Sequence, residues 1–178
     1  MEASDEELMR QVAQGHAAAF RQLAARHAAR GMGLARRVTG NAADAEEIVQ
    51  DALLRVWLHA PRWRPVAAFK TWFYRIVLNL ALNRRRGPQF VAIEQAGDLV
   101  DGSDHAALLE TAEIDRQVLA AVGSLPERQR AAIALTYQDG FSNADSAAIL
   151  GVSVSAFESL LVRAKRSLRQ QLDAVMGE

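Results

Sequence analysis

Residues 142–169, SNADSAAILGVSVSAFESLLVRAKRSLR, contain the signals of two short helices joined by a tight turn. Ser142 is a favourable N-cap for the first helix, and Gly151 supplies the left-handed conformation that commonly ends one. Ser153 then predicts the N-cap of a second helix, which runs into a basic cluster. This layout predicts a helix-turn-helix, in which one helix crosses DNA while the next lies in the major groove. DNA is therefore the leading candidate partner.

Helical periodicity extends through most of the chain outside this stretch. Capping signals and the spacing of apolar residues predict six further helices, at about 4–30, 31–39, 44–57, 69–86, 108–122 and 126–138. No segment has a convincing strand pattern, so the predicted fold class is all-α: two small helical domains joined by a flexible acidic linker. The expected boundaries are 1–87 for the first domain, 88–111 for the linker and 112–178 for the second domain, which contains the helix-turn-helix.

The formal net charge is zero, but the charges are unevenly distributed along the chain. Residues 1–86 hold fourteen Lys and Arg against eight Asp and Glu, whereas residues 87–115 hold seven acids and no Lys or Arg. Residues 116–178 hold seven bases and six acids. A basic block and a mixed block therefore flank an acidic connector, and this asymmetry is compatible with nucleic-acid partners despite the neutral total.

The chain has no cysteine, which excludes disulfide bonds and thiolate metal sites and fits a reducing compartment. No window of about twenty apolar residues is present, so we expect no membrane insertion. The N-terminal residues MEASDEELMRQ are acidic and lack an apolar stretch, so they do not resemble a secretory signal. A cytoplasmic location is the simplest expectation.

The second helix of the predicted helix-turn-helix has an apolar side and a polar side. Helical geometry places Leu160, Leu161, Ala164 and Leu168 within about sixty degrees of Phe157, on the packed side. On the polar side, Arg can bind guanine or phosphate, Ser can bind a base edge or phosphate, and Glu can accept a hydrogen bond from cytosine. This polar side either binds DNA or is only a solvated face, whose basic end complements the helix dipole. The candidate DNA-binding residues are Ser155, Glu158, Ser159, Arg163 and Arg166.

The predicted helix 69–86 also has two faces of different chemistry. Its expected core residues are Phe69, Phe73, Ile76, Val77 and Leu80. The other face offers an indole, two amides and two guanidiniums, a mixture that suits stacking on unpaired bases and binding their edges and backbone. Trp63 lies between two arginines in the preceding loop, and it either joins this surface or packs into the domain. The alternative for the whole face is that it is only solvated. The candidates are Trp63, Trp72, Arg75, Asn79, Asn83 and Arg86.

The exposed side of the predicted helix 44–57 carries Glu47, Gln50, Asp51 and Arg55. An acidic, amide-bearing face does not suit DNA; it either binds a basic protein helix or is solvated. Signals for catalysis are weak, because the four His residues lack ligand spacing and no glycine-rich phosphate loop follows a strand. We therefore expect no metal site, no cofactor and no enzymatic activity.

Three segments in this order resemble the bacterial extracytoplasmic-function (ECF) sigma factors, the two-domain branch of the sigma-seventy family. The resemblance covers almost the full length. DAEEIVQDALLRVW is similar to the segment that docks on the clamp helices of the RNA polymerase beta-prime subunit. FKTWFYRIVLNLALNRRR is similar to the segment that melts and reads the minus-ten element. LPERQRAAIALTYQDGFSNADSAAILGVSVSAFESLLVRAKRSL is similar to the domain that reads the minus-thirty-five element.

The resemblance implies a role for each matched position. Glu47, Gln50 and Asp51 would hold the clamp helices, and the acidic linker would thread toward the RNA exit path. Asn79 matches the asparagine of the minus-ten reading helix, while Trp72, Arg75 and the loop 59–68 would separate the strands and hold an extruded base. Ser155, Ser159, Arg163 and Arg166 would read or clamp the minus-thirty-five duplex. An anti-sigma factor is a further implied partner.

The sequence departs from the family pattern at a few positions. Asn83 stands where the family often has Asp, and Glu158 and Leu160 stand where it often has basic residues. Fewer positive charges weaken phosphate attraction, so a different base preference is expected. The function expected is that of a sigma factor, which brings core polymerase to a two-part promoter and helps to melt it. The alternatives are a free-standing helix-turn-helix regulator and an enzyme with a helical metal site.

Overall fold

The structure is a computed structural model that describes residues 3–86, 117–137 and 141–176. Every regular element within these ranges is helical, which confirms the all-α prediction. The predicted linker and both predicted domain boundaries lie outside the described residues. The helices are α1 (Asp5–Ala13), α2 (Ala17–Thr39), α3 (Ala42–His59), a 3-10 turn (Ala60–Arg62), α4 (Phe69–Arg86), α5 (described over 117–124), α6 (Glu127–Thr136), α7 (Asn143–Leu150) and α8 (Val154–Met176).

The first helices differ from the prediction, which placed one helix over 4–30 and another over 31–39. The chain instead breaks at Gly15, whose φ of 85° is left-handed, and α2 then continues to Thr39. Gly31 lies inside α2, and its lack of a side chain allows neighbouring residues to pack closely against the helix. A Cβ atom built at Gly31 would lie 3.2 Å from Cγ2 of Val49 and 3.5 Å from the Phe73 ring. The predicted helix boundary between residues 30 and 31 is therefore wrong, and Gly31 marks a helix contact.

Helices α1–α4 pack together as the N-terminal lobe, with α4 against the other three. The predicted core residues Phe69, Phe73 and Val77 are buried, and Ile76 and Leu80 are partly buried against the same core. Tyr74 and Leu78 are also buried, although they fall outside the predicted stripe. They are covered because α4 is enclosed on more than one side, which a single apolar stripe does not indicate.

A buried polar network ties three helices of this lobe together. Nε2 of His27 in α2 lies 2.7 Å from Oδ2 of Asp5, and its Nδ1 lies 3.2 Å from the Tyr74 hydroxyl in α4. Arg26 donates to the other Asp5 oxygen over 2.9 Å. Burial disfavours the phenolate and is the main cause that raises the pKa of Tyr74 to about 12. The Tyr74 hydroxyl therefore stays protonated across the neutral range.

The raised pKa of Tyr74 predicts a loss of stability in alkali. Unfolded tyrosine ionises near 10.0, below the folded value, so the stabilising effect is complete below pH 10 and is lost as pH rises toward 12. We expect the free energy of unfolding to fall by about 3 kcal/mol over that interval. Denaturant titrations at several pH values measure it, and tyrosinate absorbance reports the ionisation.

The chain offers a matched control, since it has two tyrosines and Tyr137 is 62% exposed. In Tyr137→Phe, the remaining phenol should titrate near pH 12 and the alkaline instability should persist. Tyr74→Phe should remove that part of the pH dependence. Titration of Tyr74 near its ordinary value in the folded Tyr137→Phe variant would contradict the assignment.

Helices α5–α8 form the C-terminal lobe, in which α8 packs against both α6 and α7. Its core is apolar and includes Leu135, Ile149 and Phe157, all nearly inaccessible. The corner between α5 and α6 is closed by Arg130, which is buried and donates to the carbonyl of Gly123 over 2.7 Å. The lobe meets the N-terminal lobe through α4 with α7 and through α2 with α6.

Candidate nucleic-acid interface

The helix-turn-helix forms where the sequence predicts it. Ser142 and Asp145 make a reciprocal capping box at the start of α7, with N–H to side-chain distances of 3.0 Å in both directions. The backbone N–H of Ser142, followed by its hydroxyl and by Lys70, holds the pKa of Asp145 below its ordinary value. Gly151 ends α7 with a φ of 73°, and Ser153 caps α8 by accepting from the N–H of Ala156.

The two faces of α8 are separated as predicted. Phe157, Leu161 and Ala164 are buried against the lobe. The five candidate DNA-binding residues are all exposed: Ser155, Glu158, Ser159, Arg163 and Arg166. Val162 lies on the same exposed face, with 68% of its surface accessible. The face therefore combines hydroxyls, guanidiniums, one carboxylate and one apolar side chain.

In the N-terminal lobe, the structure brings the candidate tryptophans together around a cavity of about 370 Å³. Trp63 and Trp72 line it with ring centroids 6.3 Å apart, and Trp63 also lies 6.5 Å from the Phe69 ring. Arg75 contributes to its wall. The other cavity residues are His59, Arg62, Arg64, Val66 and Ala67. An aromatic pocket with a cationic wall suits a flat ring attached to a phosphate backbone.

The remaining candidates of α4 lie further along the helix. Asn79 and Asn83 are both exposed, at positions spaced by one helical turn. Arg86 is the last residue of α4, and its side chain lies outside the described residues. The structure therefore places an aromatic cavity near the start of α4 and exposed amides toward its end.

The candidate protein-binding face of α3 is exposed but already engaged in local contacts. Arg84 of α4 pairs with both Glu47 and Asp44, at 2.9 Å from the latter. Asp51 pairs with Arg55 at 3.1 Å, and Gln50 donates to Glu46 over 3.3 Å. These pairs are exposed, so each contributes only about 0–1 kcal/mol and exchanges readily with an external partner.

Two leucines that the sequence interpretation left out extend this face of α3. Leu54 is 54% exposed and Leu58 is 63% exposed. They follow Gln50 and Asp51 at helical spacings of three to eight residues, so they lie on the same side. Helical spacing alone places these two leucines beside the charged residues of α3. The sequence could therefore have predicted them as part of the same exposed face.

A metal site and a membrane span are the other classes of site to consider within residues 3–86, 117–137 and 141–176. No group of three or more His, Cys, Asp or Glu side chains is arranged to hold a metal ion there. No single helix in these ranges is long and apolar enough to cross a membrane. Among the described helices, only α7 and α8 taken as a pair meet the length and composition requirement, and they are bent by 94°.

Two helical lobes with cationic, base-compatible faces define a nucleic-acid-binding protein. Comparison with known families is more specific: residues 23–89 match the model of Sigma-70 region 2, and residues 115–168 match that of Sigma-70, region 4. The chain is 35% identical over 171 residues to the ECF RNA polymerase sigma factor SigM of Mycobacterium tuberculosis, covering 96% of this chain and 86% of the relative. It is 34% identical over 188 residues to the RNA polymerase sigma factor CnrH of Cupriavidus metallidurans, covering 97% and 96%.

The fold is also similar to solved structures. CnrH in complex with the cytosolic domain of CnrY gives a TM-score of 0.73 at 31% identity, covering 97% of this chain and 99% of that one. The sigma factor RpoE in complex with the anti-sigma factor NepR from Bartonella quintana gives 0.62 at 26% identity, covering 86% and 96%. The chain belongs to the ECF group of the sigma-70 family of RNA polymerase sigma factors. The predicted family is confirmed, and the relatives favour it over a free-standing regulator.

Proposed function

We propose that this protein binds core RNA polymerase in the cytoplasm, directs it to a two-part promoter and helps to open the upstream end of the bubble. The N-terminal domain, residues 1–87, docks on the polymerase and reads the minus-ten element. Residues 88–111 act as the linker, and residues 112–178 read the minus-thirty-five element. The observation that carries the proposal is that one chain holds an aromatic, cationic cavity suited to unpaired bases and a helix-turn-helix suited to duplex DNA.

Strand opening requires binding energy and no chemistry of the protein's own. Extruding a base costs a few kcal/mol, and stacking one base on an aromatic side chain returns about 1–3 kcal/mol. Stacking of one base on Trp63 or Trp72 in the cavity that they line therefore offsets much of the cost of extruding that base but leaves little surplus. Contacts of Arg75, Asn79, Asn83 and Arg86 with the backbone and base edges of the same strand would supply the remainder. The protein is proposed to have no enzymatic activity.

Duplex recognition is assigned to the exposed face of α8. Arg163 and Arg166 suit phosphate or guanine, and Ser155 and Ser159 suit phosphate or base edges. Glu158 accepts from the amino group of cytosine, and at the same time it repels phosphates that lie close to it. These contacts are proposed to set the minus-thirty-five preference of this protein.

Polymerase docking is assigned to Glu47, Gln50 and Asp51, facing the clamp helices of the beta-prime subunit. Docking would exchange the local pairs with Arg84 and Arg55 for pairs with basic residues of the partner. Burial of the exposed Leu54 and Leu58 in the same contact adds apolar area, at about 25 cal/mol per Å² removed from water.

An anti-sigma factor is the remaining proposed partner. Support comes from the similar solved structures, which contain RpoE with the anti-sigma factor NepR and CnrH with the cytosolic domain of CnrY. Such a partner would compete with core polymerase for the same chain.

Reconstituted transcription tests the proposed function. The purified protein is mixed with core polymerase and genomic promoter fragments, and transcripts are mapped. We expect discrete starts that require both components and share two upstream sequence elements. The proposal is wrong if the protein neither joins the core enzyme nor supports initiation.

Val162 provides a test of the proposed face of α8. Because an exposed valine suits the methyl group of thymine, we expect one thymine-to-uracil replacement in the minus-thirty-five element to weaken holoenzyme binding about fourfold. In Val162→Ala, the same replacement should have little further effect. Affinities for methyl-bearing and methyl-free duplexes measure the difference.

A control variant for this test is Leu119→Ala, which truncates another exposed apolar side chain, 61% accessible on α5. It should retain the wild-type response to uracil. If wild-type holoenzyme is insensitive to uracil at every thymine of the element, Val162 makes no methyl contact.

A further inference from the structure

The residue at the N-cap of α4 cannot cap the helix with its own side chain. Ala68 occupies this position, since its carbonyl oxygen accepts from the N–H of Trp72 over 3.2 Å at the start of the helix. Alanine has no side-chain acceptor, and the residue before it is also alanine. The backbone N–H groups of the first turn of α4 therefore need an acceptor from elsewhere.

Glu6 of α1 supplies such an acceptor. Its Oε1 accepts from the N–H of Phe69, the first residue of α4, over 3.1 Å and across 63 positions of the chain. A carboxylate at this place also meets the positive end of the α4 dipole. The neighbouring Asp5 fixes α1 against α2 through His27 and Arg26, at 2.7 and 2.9 Å. Helix α1 is thus anchored on α2 while it holds the start of α4.

The residue that Glu6 holds supports the aromatic cavity. Phe69 is fully buried, and its ring centroid lies 6.5 Å from that of Trp63 and 6.0 Å from that of Trp72, the two tryptophans that line the cavity. Helix α1 also packs against the 3-10 turn that precedes Trp63. The loop that leads from Trp63 to α4 is therefore backed by α1 at both of its ends.

We propose that Glu6 is a positioning residue for strand capture: by holding the first turn of α4, its carboxylate keeps Trp63 and Trp72 in place to receive an extruded base. This inference rests on the proposed function of the cavity. Glu6 is not among the residues that line the cavity, so it acts through Phe69 and not by contact with DNA. A cavity that already has its binding shape does not have to be ordered when the base enters, and this raises affinity.

Affinity of the holoenzyme for single-stranded DNA tests this role of Glu6. The probe is a fluorescent oligonucleotide with the non-template minus-ten sequence of a promoter at which this protein starts transcripts, together with versions that lack one base at each position in turn. We expect wild-type holoenzyme to lose affinity at the position whose base enters the cavity. Glu6→Met, which has a side chain of similar length but no acceptor oxygen, should bind the intact probe about two- to tenfold more weakly. It should match wild type on the version without that base.

Three variants separate positioning from a general structural defect. Glu6→Gln retains a carbonyl oxygen and should keep most of the wild-type affinity. Glu7→Met removes the next carboxylate of α1, which pairs with Arg10 at the surface, and should bind as the wild type does. Addition of Ala68→Ser to Glu6→Met places a capping hydroxyl in α4 itself and should recover the lost affinity.

A folded Glu6→Met protein that binds the intact probe as tightly as wild type, or that binds every version of the probe more weakly by the same factor, would overturn the role of Glu6. Should Glu6→Met not fold, Glu6→Asp, whose carboxylate is one methylene shorter, is measured in the same way. It should show a smaller loss, confined to probes that retain the captured base. Absence of any position at which wild-type holoenzyme responds to loss of a base would instead refute base capture by the cavity.

Discussion

Asp51→Lys should weaken binding of this protein to core RNA polymerase by about a hundredfold or more. The Asp51 side chain is 44% exposed on α3 and pairs with Arg55, so reversal does not bury a charge in the lobe. At the proposed interface, however, the new lysine would face basic residues of the clamp helices, and disrupting a close interfacial charge pair costs roughly 2–5 kcal/mol. Binding of labelled protein to immobilised core enzyme measures the loss.

Asp173→Lys is the control for this prediction, because it makes the same charge change at an exposed position of α8. It should bind core polymerase as the wild type does. Both variants should keep the wild-type circular dichroism spectrum and melting temperature. If Asp51→Lys retains core binding and transcription, the exposed face of α3 is not the docking site.

Trp63→Ala should reduce open-complex formation on duplex promoters by roughly tenfold to a hundredfold. The estimate follows from the loss of about 1–3 kcal/mol of base stacking in the cavity that Trp63 and Trp72 line. Permanganate reactivity of unpaired thymines measures the open fraction directly. Core binding should be unchanged, since the α3 face is untouched.

Two comparisons separate base capture from a purely structural role of Trp63, which also packs against Phe69. Trp63→Phe keeps an aromatic ring and should recover a large part of the activity. A template with the minus-ten region already unpaired should reduce the defect of Trp63→Ala, because less opening is then required. An equal defect on duplex and unpaired templates would argue against strand capture.

Local signals in the sequence were sufficient for the helix-turn-helix. Ser142, Gly151 and Ser153 act through hydrogen bonds and backbone conformation within a few residues, so their roles follow from composition and spacing. The break at Gly15 was missed because a glycine signals either a turn or a close helix contact. Gly15 is the turn and Gly31 is the close helix contact, and only the packing of Gly31 against Val49 shows which glycine has which role.

Non-local contacts were outside the reach of the sequence. Lys70 and Asp145 are 75 positions apart, and Arg84 reaches Glu47 across 37 positions. Neither pair has a periodic signature, because both depend on how helices pack. The exposed positions on α3, α4 and α8 followed from helical geometry, whereas the roles assigned to them rest on resemblance and stay predictions.

Mapping the DNA that this protein and core polymerase occupy together in cells is the most direct test of promoter recognition by the two lobes. The account predicts shared sites at transcription starts with two sequence elements at a fixed spacing, and loss of occupancy at both elements in Asp51→Lys. Sites with a single element that Asp51→Lys still occupies without polymerase would contradict it.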